Sequence, residues 1–462
     1  MPRIAFRVFV ILLAAYLCYA CKSREDRITT DQSARLEFSG DTILFDTIFT
    51  SIGSTTRRLV VYNPNDNAVV IGSVRLGGLA SSEYQLIING KESVHENNLE
   101  LRGKDSLFVL VKVNINPQDK DLPYLVKDSV MFTTNNNQQR VMLVAYGQDA
   151  NFIHNKTLSC NTVWDSQKPY VISGHATVPQ GCNLTLKPGV QVLFGDGAYL
   201  KVKGSLKSEG KVDDRVIFSS DRLEYRMRNQ PGLWKGITFT SSSSGNRLEA
   251  TEVRNAQTGL LLENSMAPST PVVSIKQSVV ENMSRSGVEA VNSNVYMENT
   301  LINNCANYAF VASGGGKSKI VHSTLANYSY NFFRNNSTVG FYNTRLKPDG
   351  GRLKNPIEAE IINSIIWGDR SEELVKNQSA DYPFNVDIRH SLIKSESMSE
   401  GDGNIINEEP EFKNPKDRNF KLQEGSPAKG AGKNTGITTD LVGNSRKPTP
   451  DMGAFEYYPA ED

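Results

Sequence analysis

Thr251-Glu-Val-Arg-Asn255, Ser278-Val-Val-Glu-Asn282 and Thr300-Leu-Ile-Asn-Asn304 repeat one short pattern: a hydroxyl residue, two mostly apolar positions, and an Asn close behind. The pattern returns as Thr324-Leu-Ala-Asn327, Thr344-Arg-Leu346, Ser364-Ile-Ile366 and Ser391-Leu-Ile393, at successive spacings of 27, 22, 24, 20, 20 and 27 residues. A period in the low twenties fits one turn of a parallel β-helix, in which each repeat buries its apolar face only against its neighbours. Coils pair their backbones ~4.8 Å apart, so like residues stack on like. The reading therefore expects Val279, Leu301, Leu325, Ile365 and Leu392 to form one inward apolar column. It also expects Asn255, Asn282, Asn304 and Asn327 to form a ladder at one corner, where Asn tolerates left-handed φ and bonds turn backbone.

Working outward, the same rhythm begins near Trp164, with Gly-containing corners between short runs such as Val190-Gln-Val-Leu-Phe194 and Tyr199-Leu-Lys-Val-Lys-Gly-Ser-Leu206. Upstream, strand-like runs at 41–49, 58–62, 69–74, 106–113, 128–134 and 140–146 alternate with turn signals such as Asn63-Pro64 and Asn135-Asn-Asn137. Short strands at that density argue for a β-sandwich. Through Asn63-Pro64, Asp105-Ser106, Asp128-Ser129 and Gly147-Gln-Asp-Ala150, this stretch resembles the immunoglobulin-like domains that precede β-helices in bacterial surface lipoproteins. That likeness speaks to architecture and carries no chemistry. The fold expected is all-β: an N-terminal β-sandwich followed by a right-handed parallel β-helix.

Downstream come Pro410-Glu-Phe412, Asn414-Pro415, Phe420-Lys-Leu422, Gly425-Ser-Pro-Ala428, Asp440-Leu-Val-Gly443, Arg446 and Asp451-Met-Gly-Ala-Phe-Glu456. In that order they resemble the terminal segment of bacterial right-handed β-helix proteins of the choice-of-anchor Q type. The resemblance implies fold and not activity, and its aspartates are read as turn formers. A stack needs both ends covered, because bare strands pair with strangers. The sandwich is expected at the first coil and this segment at the last. The divisions are 1–20 signal peptide, 21–32 tether, 33–150 sandwich, 151–405 β-helix and 406–462 terminal segment.

The N-terminus is an address. Arg3 and Arg7 precede an apolar run from Val8 to Ala20, which is 13 residues long. That is short of the ~20 needed to span a bilayer. Leu17-Cys-Tyr-Ala-Cys21 resembles a lipobox, which implies acylation at Cys21 and a lipid anchor in the outer membrane; Cys18 departs from the usual Leu. Glu25 and Asp26 resemble the surface-export tag of some Gram-negative lipoproteins, and a plain charged tether reads as well. Cys160 and Cys182 lie one repeat apart and are a disulfide candidate in an exported chain, with two buried thiols as the alternative.

Formal net charge is +1, so no bulk field draws the chain to nucleic acid. The five histidines are scattered and the one Cys-x-x-Cys, Cys18 to Cys21, falls in the lipobox-like leader, so neither a metal nor another cofactor is expected. Gly314-Gly-Gly-Lys-Ser318 lacks the spacing of a nucleotide-phosphate loop and reads as a flexible corner. Glycoside hydrolysis needs two carboxylates facing one bond, yet Arg222 to Pro348 contains no Asp and its Glu residues do not cluster. No catalytic residue is named. Asn327-Tyr-Ser-Tyr-Asn-Phe-Phe-Arg334 gathers aromatics beside Asn and Arg. Tyr328, Tyr330, Phe333, Trp234 and Trp367 are the ligand-binding candidates, each with a stacked-core alternative. Two functions stay open: a non-catalytic surface module holding a polysaccharide or another envelope component, and a β-helix polysaccharide lyase or hydrolase.

Overall fold

The computed structural model describes residues 27–459 apart from 55, 166, 264–270, 329, 331 and 380. Cys18, Cys21, Glu25 and Asp26 lie outside the described residues. The chain divides into two units, Met1–Asp119 with Pro123–Gln148, and Lys120–Leu122 with Asp149–Asp462.

The first unit is a sandwich of two five-stranded sheets. One runs in the order Glu37–Phe38, Arg57–Tyr62, Ser106–Val113, Tyr84–Ile88, Lys91–Ser93. The other runs Thr42–Phe49, Asn137–Gln148, Tyr124–Thr134, Val69–Leu76, His95–Leu101. Alternation sends Phe45, Ile71, Tyr84, Val111, Phe132 and Leu143 into a shared core. The strands at 91–93 and 95–101 escape the sequence reading because Lys91-Glu-Ser93 and His95-Glu-Asn-Asn are polar on both faces, and the short apolar strand 84–88 was also not read.

The second unit is the parallel β-helix. Each coil contributes a strand to each of three faces. Val295–Glu298, Leu301–Cys305 and Phe310–Ser313 make one coil, and Gly316–Val321, Thr324–Asn327 and Val339–Tyr342 make the next. On the middle face Val253, Val280, Ile302, Leu325, Ile366 and Ile393 stack in register and are at most 1 % exposed. Burying each such side chain contributes about 1.5–3 kcal/mol.

This register corrects the expected column. Leu325 belongs to it, but Val279, Leu301, Ile365 and Leu392 stack one residue earlier, with Thr324 between Leu301 and Ile365. They point outward. They are nonetheless covered or partly covered, because they pack with Phe412, Phe420, Leu441, Met452 and Phe455 of the terminal segment. Both faces of these strands are therefore apolar, and sequence alternation could not tell inside from outside.

The hydroxyl position has a specific cause. Ala250, Gln277, Asn299, His322, Asn363 and His390 turn the corner with positive φ, and each precedes a hydroxyl residue. The N–H groups of Thr251, Thr300, Ser323 and Ser364 donate to the hydroxyls of Ser278, Ser323, Ser364 and Ser391 in the next coil, at 3.0–3.2 Å. Those four hydroxyls donate in turn to carbonyls two residues back. A buried N–H at each corner would otherwise stay unsatisfied, at a cost of ~1–3 kcal/mol. Ser323, not Thr324, holds this position. Thr344 is not a repeat member at all: Thr344–Leu346 and Arg352–Lys354 pair as an antiparallel hairpin inserted into one coil. Gly314, Gly315 and Gly316 turn a corner at positive φ, but Lys317 and Ser318 already lie in the strand Gly316–Val321.

The terminal segment is a second correction. Only its first residue stays at the far end, where Met398 and Ile406 pack against the core and Ile405–Ile406 pairs with Leu392–Ile393. The rest runs back along the flank as a strap, held rung by rung at the left-handed corners. Asn363 bonds Lys433 O and N at 2.6 and 2.8 Å, and His322 Nε2 lies 3.1 Å from Thr435 Oγ1. Asn299 bonds Thr439 O at 2.8 Å, Gln277 bonds Asp440 O at 3.0 Å, and Arg215 bonds Leu441 O at 2.8 Å. Asp440 and Asp451 are fully buried and accept from the backbone N–H groups of Val442, Asn444, Glu456, Gly430 and Tyr457, which is the turn-forming role.

Candidate functional site

The Asn ladder leads to the site. Asn255, Asn282 and Asn304 all sit at positive φ. Asn282 Nδ2 donates to Asn255 Oδ1 at 2.6 Å and Asn304 Nδ2 to Asn282 Oδ1 at 2.7 Å. The next coil breaks the series. Asn327 is the last residue of its strand, and its Oδ1 accepts instead from the N–H of Cys305 at 2.9 Å. The ladder therefore ends at Asn304, whose Oδ1 is buried without a partner. Beside it Asn303 donates to Glu281 at 3.4 Å while its own Oδ1 is also unpartnered and buried.

These two amides floor a narrow slot. One wall is Tyr328 and Tyr330, and the other is the strap turn of Pro415, Lys416, Arg418 and Phe420. Tyr328 stacks on Tyr330 at 5.3 Å and on Phe420 at 6.3 Å, so three rings form a pile with Tyr330 outermost at 48 % exposure. The Tyr328 hydroxyl is buried and unpartnered. Burial, reinforced by Glu409, pushes that phenol above its ordinary range, so it keeps its proton. Arg418 reaches Glu281 at 2.8 Å and fixes the strap turn against the coil.

The loop carrying Tyr330 is anchored from beneath. Arg334 and Glu373 are ion-paired with side chains 0 % exposed, and Arg334 also meets Asp369 at 3.1 Å and Thr338 Oγ1 at 3.0 Å. Glu373 takes the N–H groups of Thr338 and Arg370 at 2.8 and 2.9 Å. A Cβ at Gly368 would collide with this carboxylate and with Asn327 O, so only glycine fits there.

The structure thus joins Tyr328 and Tyr330 and leaves the other candidates elsewhere. Phe333 is 89 % exposed and does not line the slot. Trp234 is core, stacked on Phe194 at 4.0 Å with its indole N–H given to Arg254 O. Trp367 is buried in the cluster under the strap, with Lys394 over its ring at 5.2 Å. Asn303, Asn304, Lys416, Arg418 and Phe420 were not legible as one site, because the strap's path along the flank brings the last three there. Cys160 and Cys182 are joined in a disulfide between adjacent coils. Among the described residues no His, Cys, Asp and Glu group could hold a metal ion.

No protein-family profile and no curated relative matches the chain. Solved structures resemble it only faintly. A family 123 glycoside hydrolase from Clostridium perfringens aligns at TM-score 0.19 and 8% identity, over 25% of each chain. This chain thus spans a quarter of that protein's length. A protein of unknown function from Porphyromonas gingivalis aligns at 0.19 and 13%, over 27% of this chain and 59% of that one. The catalytic domain of a family 87 α-1,3-glucanase, in complex with tetrasaccharides, aligns at 0.16 and 11%, over 77% and 78%. At these scores none of them bears on activity.

Proposed function

We propose that the chain is an exported lipoprotein, acylated at Cys21 and displayed at the outer-membrane surface, whose β-helix binds glycan without cleaving it. One observation carries the binding reading: an open ring, Tyr330, backed by two stacked rings, lines the same slot as two buried and unpartnered amide oxygens. A buried acceptor without a donor is costly, and a ligand that brings the donor recovers that cost. A sugar edge supplies both features, with hydroxyls to donate into the slot and a C–H face to lie on the ring. No carboxylate lines the slot, and Glu281 behind it is tied to Arg418 and Asn303. Cleavage by a carboxylate pair therefore has no acid here. The Cys160–Cys182 disulfide supports an oxidising, extracytoplasmic setting.

The test is titration of the full chain, extracted in detergent, against plant, host and bacterial glycans, scored for binding and for cleavage. Tyr330→Ala should weaken binding about tenfold, which is ~1.4 kcal/mol, and leave melting unchanged. Tyr330→Phe should bind like the parent. Equal binding by Tyr330→Ala, or release of new reducing ends or unsaturated uronates by the parent, would overturn the reading.

A further inference from the structure

A second surface lies on another face of the solenoid, where Val295–Glu298, Gly316–Val321, Ile357–Ile362 and Phe384–Arg389 stack in parallel. Their outward side chains fall into rows. Tyr296, Lys319, Glu360 and Asp387 share one register position in successive coils, and Lys317 and Glu358 share the neighbouring one. Together they line an open groove of about 470 Å3. Lys319 lies 2.7 Å from Glu360 and Lys317 2.6 Å from Glu358. Arg389 reaches Glu360 at 2.8 Å and Asp387 at 3.1 Å. All three carboxylates of the groove are thus paired with cations. Tyr296 closes one end, its hydroxyl donating to Glu298 at 2.6 Å.

We infer that this groove holds a run of an extended, uncharged glycan laid along the solenoid axis. The inference takes its class of ligand from the glycan reading above and everything else from the groove. The groove's three cations and three carboxylates cancel, so a uronate or sulfate is repelled by as many charges as attract it and gains nothing from its own. A neutral polyol meets no such obstacle, since its hydroxyls accept from each ammonium and donate to each carboxylate. Exposed pairs of this kind hold by only ~0–1 kcal/mol, so both partners can turn to a ligand. Register adds to this: coils repeat every ~4.8 Å and four of them set three steps, ~14 Å, with donors on the first two coils and acceptors on the last two. One step is close to the length of one pyranose residue, so successive sugars meet successive coils.

The experiment titrates the full chain with xylo-, cello-, manno- and laminarihexaose, with the matching disaccharides, and with hexagalacturonate and a hexameric alginate. A neutral hexaose should bind, its disaccharide should bind at least tenfold more weakly, and the acidic hexamers should bind no better than the disaccharide. The double variant K319A/E360A should lose at least tenfold in hexaose affinity with the parent's melting temperature, while Tyr330→Ala keeps the groove's share of binding. Acidic hexamers binding as well as neutral ones, or an unaffected double variant, would overturn the inference. If Tyr330→Ala alone abolishes binding, the slot stands and the groove falls. If only the double variant matters, the groove stands and the slot falls.

Discussion

At the residue scale, the ion pair Arg334–Glu373 decides whether Tyr330 is presented at all. Both side chains are dry, and Glu373 gathers two backbone N–H groups besides the guanidinium. Removing one partner of such a pair strands the other charge, typically at ~3–5 kcal/mol. Glu373→Ala should therefore lose several kcal/mol in chemical denaturation, and Glu373→Gln, which keeps the hydrogen-bonding shape, clearly less. A loss under ~1 kcal/mol for the alanine variant would mean that the loop is held by something else. Little of this was visible in sequence. Arg334 reads as a surface cation at the end of an aromatic run, and Glu373, 39 residues later, reads as one of an exposed Glu pair.

At the scale of elements, the repeat was legible because its cause is local. The corner that leads into the middle face is followed by a hydroxyl in each coil from 251 to 391, and Thr251, Ser278, Thr300, Ser364 and Ser391 were read correctly as that repeating position. At Ser323-Thr324 two hydroxyls adjoin and the wrong one was taken. The strap was misplaced because its partners are distant corners, and no local pattern records that Asn299 will meet Thr439. His322 offers a way to measure the strap's hold. Burial, helped by Arg446, drives its pKa down to about 3, so the folded protein keeps the ring neutral. Its Nε2 lies 2.9 Å from the Asn363 amide donor, which a proton there would oppose. The unfolded chain takes up that proton near the ordinary value of ~6.5. Stability from this group is therefore full above ~6.5 and falls as pH drops towards the folded value, by about 1.4 kcal/mol per unit. Asn suits the same left-handed corner and does not titrate. The stability of the parent relative to His322→Asn should fall steadily from pH 6.5 to 4.5. A constant gap would show that His322 does not titrate on unfolding.

At the scale of the whole molecule, the fold class was readable from period and turn chemistry, while the two units differ in what they owe to local signals. The sandwich hides two largely polar strands, and the solenoid declares nearly every coil. Anchorage belongs to the proposal and rests on Cys21. Cys21→Ser should move the protein from the membrane pellet into a soluble exported fraction, and the parent's N-terminal peptide should carry acyl mass. Pelleting of the variant like the parent would remove the anchor from the proposal.

The strap also sets an order of events. Its bonds join residues up to 226 positions apart, as between Arg215 and Leu441, and they run against the direction in which coils are added. Contacts of such long range close slowly, because the intervening chain must be ordered first. Corners from 215 to 363 have to exist before 433–441 can find them, so the strap docks only after the coils that it binds. Until then Leu301, Ile365 and Leu392 present bare hydrocarbon along the flank. A chain whose strap has not yet docked thus shows apolar surface to any chaperone or protease that recognises it, and docking of the strap removes that signal.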